Sequence, residues 1–171
     1  ARSIAGKPAR APPVPTRVTL TLTSIRRLLL ALALPLAACG DNQDPAGADT
    51  FWDQIHAAPY TKWAGAPGFA TRTPSSAPHG DEVIIFVNDV VESALDGSGG
   101  LTAWPEGSLI VKEGYNGADL HLVAAMEKRS DGWYWAEWSG EGEAKYSGHP
   151  DVCTGCHESG SDFVRAFPLP K

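Results

Sequence analysis

Residues 106–138 read EGSLIVKEGYNGADLHLVAAMEKRSDGWYWAEW. Three apolar runs, at 109–111, 122–126 and 133–138, are separated by Asn116-Gly117 and Asp131-Gly132. Each run is shorter than an ordinary helix, and two of the three are rich in β-branched or aromatic residues, which fit a pleated surface. Asn-Gly and Asp-Gly favour tight reversals of an antiparallel pair. The stretch predicts three strands, at 107–115, 120–128 and 132–138. EVIIFVND (82–89) adds a fourth, buried one. TFWDQIHAAPYTKW (50–63) reads as a short amphipathic helix, capped by Thr50, with Trp52, Ile55 and Trp63 on one face. FATRTPSSAPHG (69–80) reads as loop, and DVVESALDGSGG (89–100) as a single helical turn ending in glycines. Nothing alternates strands with long helices, which excludes a parallel α/β sheet. The fold class is mainly β, an α+β arrangement of antiparallel sheet with a few short helices.

Near the C-terminus stands Cys153-Thr154-Gly155-Cys156-His157, with two of the only three cysteines. A thioredoxin-like redox pair needs a helix N-terminus in a βαβ setting, and none is visible. A structural zinc site needs a second pair of ligands at similar spacing, and none exists. A disulfide across three positions closes too small a loop to stabilise much. The following histidine selects covalent attachment of haem c. Cys153 and Cys156 add to the two porphyrin vinyl groups as thioethers, and His157 is the axial ligand to the iron. One turn of a C-terminal helix meets that geometry. One covalent haem c is the expected cofactor.

The third cysteine ends RRLLLALALPLAAC (26–39). The apolar run from 28 to 38 suits the h-region of an export signal but falls short of the about 20 apolar residues that span a bilayer. Small residues before Cys39 match a bacterial lipobox, in which the cysteine takes a lipid and becomes the new N-terminus. Gly40 rather than Asp after it favours the outer membrane. Haem c is attached outside the cytoplasm, so signal and haem box agree. The expected organisation is a leader and signal at 1–38, a flexible tether at 39–49 and one haem domain at 50–171. Residues 1–17 are Pro- and Arg-rich without periodicity and read as a mis-called start or a gene fragment, with Val18 or Leu20 as the alternative true start. Six of the 14 basic residues precede Cys39 and none of the 20 acidic ones does. The chain from Cys39 onward thus carries eight basic against 20 acidic side chains, a net −12. Such a surface repels nucleic acid and suits a basic periplasmic redox partner or an uncharged or cationic small substrate. Contact with the membrane is expected through the lipid anchor alone.

The sixth coordination position decides what a haem does. Candidates are Met126, His56, His79, His121 and His149. Met126 sits in an apolar strand, where methionine is usually core. His121 and His149 read as exposed turn residues, and His79, in APHG, is the one oddly placed. None stands out, so an open iron site is expected, which means binding or chemistry on a small molecule.

The order Trp…Tyr…Trp, Pro78-His79-Gly80, IIFVND, EGSLIVKEGY, AAMEKR, GWYWAEW, the haem box and then SDFV resembles the cytochrome P-460 family over residues 52–167. That resemblance implies a twisted antiparallel sheet with short helices, usually in a homodimer, and a five-coordinate iron with His157 proximal. It implies binding of nitric oxide and related nitrogen species and, in some members, oxidation of hydroxylamine. In those members a lysine of the VKE strand is bonded through its nitrogen to a haem meso carbon, and Lys112 holds the matching position. Without the family, Lys112 is a strand-end lysine facing solvent. Those members also carry a pocket carboxylate on the strand matching LHLVAAMEK, where Val123 stands here, and a basic residue near Val83. The expected distal pocket is therefore apolar, like that of the related beta-type cytochromes c-prime, which suits an uncharged diatomic. Trp133, Tyr134, Trp135 and Trp138 form a dense aromatic strand, with Trp135 the candidate against the haem. Asp162-Phe163-Val164 match the family's tail, and Arg165 is a candidate partner of the proximal histidine or a propionate. Three functions follow: hydroxylamine or nitric oxide oxidoreductase, nitric oxide binder or sensor, and simple electron carrier.

Overall fold

The computed structural model describes residues 42–97 and 99–170. The signal and the proposed lipid-bearing Cys39 lie outside the described residues. The elements run α1 (Pro45–Ala57), a 3-10 turn (Tyr60–Lys62), β1 (Ala64–Gly65), β2 (Thr73–Pro74), β3 (Glu82–Val87), α2 (Asp89–Asp96), β4 (Leu109–Asn116), β5 (Asp119–Arg129), β6 (Gly132–Ser139), β7 (Ala144–Gly148) and α3 (Asp151–His157). The sheet order is β1-β3-β4-β5-β6-β7, with β2 also on β3. Every pairing is antiparallel. The four expected strands are β3 to β6. The β4–β5 connection is only Gly117-Ala118, since Asn116 pairs Asp119, and Gly117 takes φ 60, which glycine adopts without steric cost.

The central strands are covered on both faces. This is why their sequences run apolar instead of alternating with polar residues. Leu109, Val111, Val123, Ala125, Tyr134, Ala136 and Trp138 face α1, which buries Ala48, Phe51 and Ile55 against them. Phe51 meets Tyr134 edge-on at 5.8 Å and Trp138 at 5.9 Å. Each such aromatic pair adds about 0.5–1.5 kcal/mol beyond the area it buries. Glu113, 7% exposed, sits at the margin of this core. Its two oxygens accept the Tyr60 and Tyr115 hydroxyls at 2.8 and 2.6 Å, and burial beside that carboxylate raises both phenols. On the other face Ile85, Val87, Ile110, Met126, Trp133 and Trp135 pack with α2, the α2–β4 connection and the C-terminal segment, through Val91, Trp104, Val164 and Phe167.

Several elements differ from the sequence reading: the helix expected over 50–63 ends at Ala57, so Trp63 lies outside it, and the two-residue strands β1 and β2 fall where no strand is expected. Helix α1 starts at Pro45, not after Thr50: Asp44 caps it by accepting the Gly47 N–H at 3.0 Å, with proline in the first turn. Thr50 lies inside and donates back to the Ala46 carbonyl at 2.9 Å. The end of the supposed tether thus belongs to the domain; Gln43 N–H bonds to Ser147 O at 3.1 Å, beside β7. The helix face is Ala48, Phe51 and Ile55, while Trp52 flanks it and packs on Trp138 at 5.0 Å. Helix α2 has eight residues rather than one turn, because the Asn88 side chain both accepts the Val91 N–H and ties to Leu109 and Gly107 in β4 and its approach. Strand β7 was missed. It is short, carries exposed Lys145 and sits at the sheet edge, where the apolar signal is weakest.

Candidate functional site

The register that builds the sheet also builds the site. Ile85, Lys112, Ala124, Glu137 and Tyr146 lie side by side across β3, β4, β5, β6 and β7. One step along, Ile110, Met126 and Trp135 form a parallel row. Both rows face away from α1. Above them Val152, Cys153, Cys156 and His157 of α3 close a cavity of about 230 Å³, with Pro78 and His79 at its side.

Helix α3 carries Asp151–His157 after Pro150, whose fixed φ suits a helix start. Neither cysteine takes part in a disulfide. Cys156 is exposed and its Sγ accepts a hydrogen bond from Arg165 Nη1 at 3.1 Å. Cys153 is half-buried and packs on the second core. His157 Nδ1 lies 2.9 Å from the Phe163 carbonyl. The carbonyl only accepts, so Nδ1 carries the proton and Nε2 keeps its lone pair. Burial pushes the imidazole down to about 4; the Phe163 carbonyl opposes this, and Lys112, His79 and Arg165 add to it. The ring is thus neutral near pH 7, as a metal ligand must be. Trp135 meets it edge-on at 4.7 Å.

The backbone that supplies the Phe163 carbonyl is itself unusual. Asp162 and Phe163 take φ 47 and 66, and Ser161 and Val164 bond to each other on both sides of them. Two left-handed residues at the centre of a tight turn are usually Asn-Gly; a phenylalanine there is a steric outlier. Such positions cost about 1–3 kcal/mol each and persist only where surrounding contacts hold them. Here the contacts are explicit. The Asp162 carboxylate accepts the Trp104 N–H at 2.8 Å and Lys128 Nζ at 2.9 Å on both oxygens, and Trp104 Nε1 donates to Ser161 O at 3.1 Å.

The sheet wall and the side that carries His79, whose ring lies 6.3 Å from that of His157, hold charge. Lys112 is half-buried, and burial is the main cause that lowers its amine; Arg165 works the same way, while Glu137 and Cys156 oppose it. His79 Nδ1 and Glu137 Oε2 are 3.3 Å apart, without the alignment of a hydrogen bond. His79 reaches this place because Gly114 has no side chain: a Cβ at 114 would overlap the His79 carbonyl oxygen. The expected apolar pocket is therefore corrected. Val123, put forward as the position of the missing acid, points into the α1 core at 1% exposure. The carboxylate comes instead from β6, as Glu137. One charged residue at the alternation of Trp133 and Trp135 was the available signal.

Of the five candidate sixth ligands, His79 and Met126 line the cavity. His56 is exposed on α1 and stacks on Trp52, His149 is exposed beside Tyr134, and His121 is exposed on β5. Lys112, Trp135, Cys153, Cys156 and His157 all meet at the cavity. Arg165 is at its rim, through Cys156. Trp135 Nε1 is buried without an acceptor, as are the indoles of Trp133 and Trp138; only Trp135 lines the cavity.

Haem c fits these residues. Two thiols one turn apart on one helix face the same cavity as a neutral imidazole whose second nitrogen is already bonded, the usual arrangement of a metal-bound histidine. Among the described residues no three His, Cys, Asp or Glu side chains gather as a metal-binding group. No protein-family model matches the chain, and neither a known curated protein nor a solved structure is significantly similar to it.

Proposed function

We propose that this is an exported haem c protein with an open iron position, a hydroxylamine or nitric oxide oxidoreductase of the cytochrome P-460 type. The observation that carries the reading is the cavity in which Cys153, Cys156 and His157 face Lys112 and the His79–Glu137 pair. Haem, when bound, supplies a coordination position for a nitrogen ligand and accepts its electrons. The chain does the rest. Cys153 and Cys156 hold the group covalently, and His157 offers Nε2 with its ring fixed by Phe163. In this reading Glu137 accepts protons released from hydroxylamine and His79, 3.3 Å from it, passes them on. Ile110, Ala124 and Met126 keep water from the remaining wall. By resemblance, Lys112 bonds through its nitrogen to a haem meso carbon. This proton-handling pair favours oxidation over passive nitric oxide binding.

Intact mass and the electronic spectrum test the proposal together. The expected result is covalent haem with a high-spin ferric spectrum and turnover of hydroxylamine with an electron acceptor. A low-spin ferric spectrum with the charge-transfer band of a methionine ligand would instead make Met126 the sixth ligand and the protein an electron carrier. Nitric oxide binding without any hydroxylamine turnover would leave a gas binder or sensor.

The net charge of −12 from Cys39 onward supports a basic redox partner in the periplasm. Anchoring is proposed through a lipid on Cys39, to the outer membrane. Among the described residues no helix is long and apolar enough to cross a membrane. Cys39→Ser is expected to move the protein from the membrane to the soluble periplasmic fraction. Unchanged sedimentation with membranes would count against the lipobox.

A further inference from the structure

We propose that Lys128, Asp162 and Trp104 form a clamp whose task is to position the axial histidine, by holding the Phe163 carbonyl on His157 Nδ1. The inference rests on the haem c reading for its consequence, but its geometry belongs to the chain alone.

The contacts form one chain of cause. His157 Nδ1 is 2.9 Å from Phe163 O. That carbonyl points there because Asp162 and Phe163 are both left-handed, at φ 47 and 66. Neither residue chooses that conformation by itself, least of all phenylalanine. The turn is closed at its ends by Ser161 N–H to Val164 O at 2.9 Å and the return bond at 3.2 Å. Those two bonds set the shape of the turn but not its place on the molecule. Its place is set by Asp162. Both carboxylate oxygens receive Lys128 Nζ at 2.9 Å, and one also receives the Trp104 N–H at 2.8 Å. Trp104 adds Nε1 to Ser161 O at 3.1 Å and is itself 2% exposed, wedged edge-on against Phe167 at 5.5 Å.

Lys128 decides why this is more than loop anchoring. It sits two residues beyond Met126 on β5, the strand that supplies Ala124 and Met126 to the cavity wall. Its backbone is bonded on both sides of the side chain to the segment before β4, through Ser108 O and Gly107 N–H, each at 2.8 Å. The Lys128–Asp162 pair has side chains only 18% and 14% exposed, so it is poorly screened by solvent. The clamp thus measures the height of His157 from the same strands that form the cavity wall. The hydrogen bond at Nδ1 gives the imidazole partial imidazolate character, which favours the ferric state of an iron bound at Nε2. Asp162 and Lys128 touch neither haem nor substrate; they are positioning residues.

Two readouts test this in the full chain. In haem-free protein, the His157 Nδ1–H proton is expected at a hydrogen-bonded nuclear magnetic resonance position in wild type. It should be lost or in fast exchange with water in Lys128→Met, and be restored in Lys128→Arg. In haem-loaded protein, Lys128→Met is expected to lower the ferric-to-ferrous ratio at fixed poise about tenfold, or about 59 mV for one electron, with the iron–histidine stretching band shifted down and covalent haem intact. Lys145→Met, which removes an exposed ion pair to Glu143, should change neither readout. Trp104→Phe, which removes the Nε1 bond to Ser161 and part of a buried indole but keeps the backbone N–H to Asp162, should give a smaller change in the same direction. The clamp has no positioning role if Lys128→Met leaves both the Nδ1 proton and the potential as in wild type, or if Lys145→Met moves them equally. A wild-type chain without haem would sink the proposed function while the Nδ1 proton alone still decided for or against the clamp.

Discussion

Replacing Cys153 and Cys156 together with alanine is expected to give a folded chain that carries no haem thioether, with any covalent haem left held by Lys112 alone. The fold should survive because neither thiol takes part in a disulfide, Cys156 is exposed and α3 contributes no buried side chain. Both large cores are built on β3 to β6 with α1 and with the C-terminal segment, and Cys153 only flanks the second of them as a half-buried side chain. The loss should be complete in the triple variant that also carries Lys112→Leu, which removes both thiols and the one amine that line the cavity. Acid–acetone extraction followed by intact mass reads the result, and far-ultraviolet circular dichroism checks the fold. Haem still covalently attached in the triple variant would overturn the reading of α3 as the attachment helix.

Lys112→Leu by itself is expected to remove hydroxylamine oxidation while nitric oxide binding persists. Replacing a meso C–H by a C–N bond to Lys112, with loss of two protons and of two electrons to an external oxidant such as peroxide, joins the nitrogen lone pair to the ring, so the wild-type ferrous absorption should lie to the red of an ordinary haem c, and the variant should return to it. The substitution should not unfold the chain. Lys112 is flanked in register by Ile85 and Ala124, and burial already lowers its amine, so leucine removes a desolvated amine and keeps apolar volume. With Cys153, Cys156 and His157 untouched, haem loading should be the same in both proteins. If wild-type mass shows only two thioether additions, its spectrum is that of an ordinary high-spin haem c and turnover is equal in the variant, Lys112 is a bystander. Nitric oxide binding would then be the better function.

Much of the fold was legible because the chain states it locally. Residues 82–87, 109–111 and 133–138 are β-branched or aromatic runs because their strands are covered on both faces, and Gly117 and Gly132 mark the reversals between them. The start of α1 was written as well, in Asp44-Pro45, but Gly, Ala and Asp around it also spell a tether. Packing of Ala48, Phe51 and Ile55 on the sheet settles the matter, since a short helix draws most of its stability from such contacts. Strand β7 carries little apolar signal of its own and exists as a partner of β6.

The site divides in the same way. Cys153, Cys156 and His157 could be grouped from their spacing, because one helical turn brings them together whatever the rest of the chain does. The sequence also placed Lys112 on a strand. It did not say that Glu137 and His79 share a cavity with it, nor that Lys128 reaches Asp162. His79 and Glu137 meet only because β3, β4, β5 and β6 pair in one register and Gly114 lets the His79 backbone come close. Side chains alternate along a strand, so a slip of one residue would turn Lys112 and Glu137 toward α1 and bring Val111 and Ala136 into the cavity. Local spacing determined the strands and the Cys-x-x-Cys-His helix; the choice of face, and with it every polar neighbour in the cavity, was made by long-range pairing and by burial against α1.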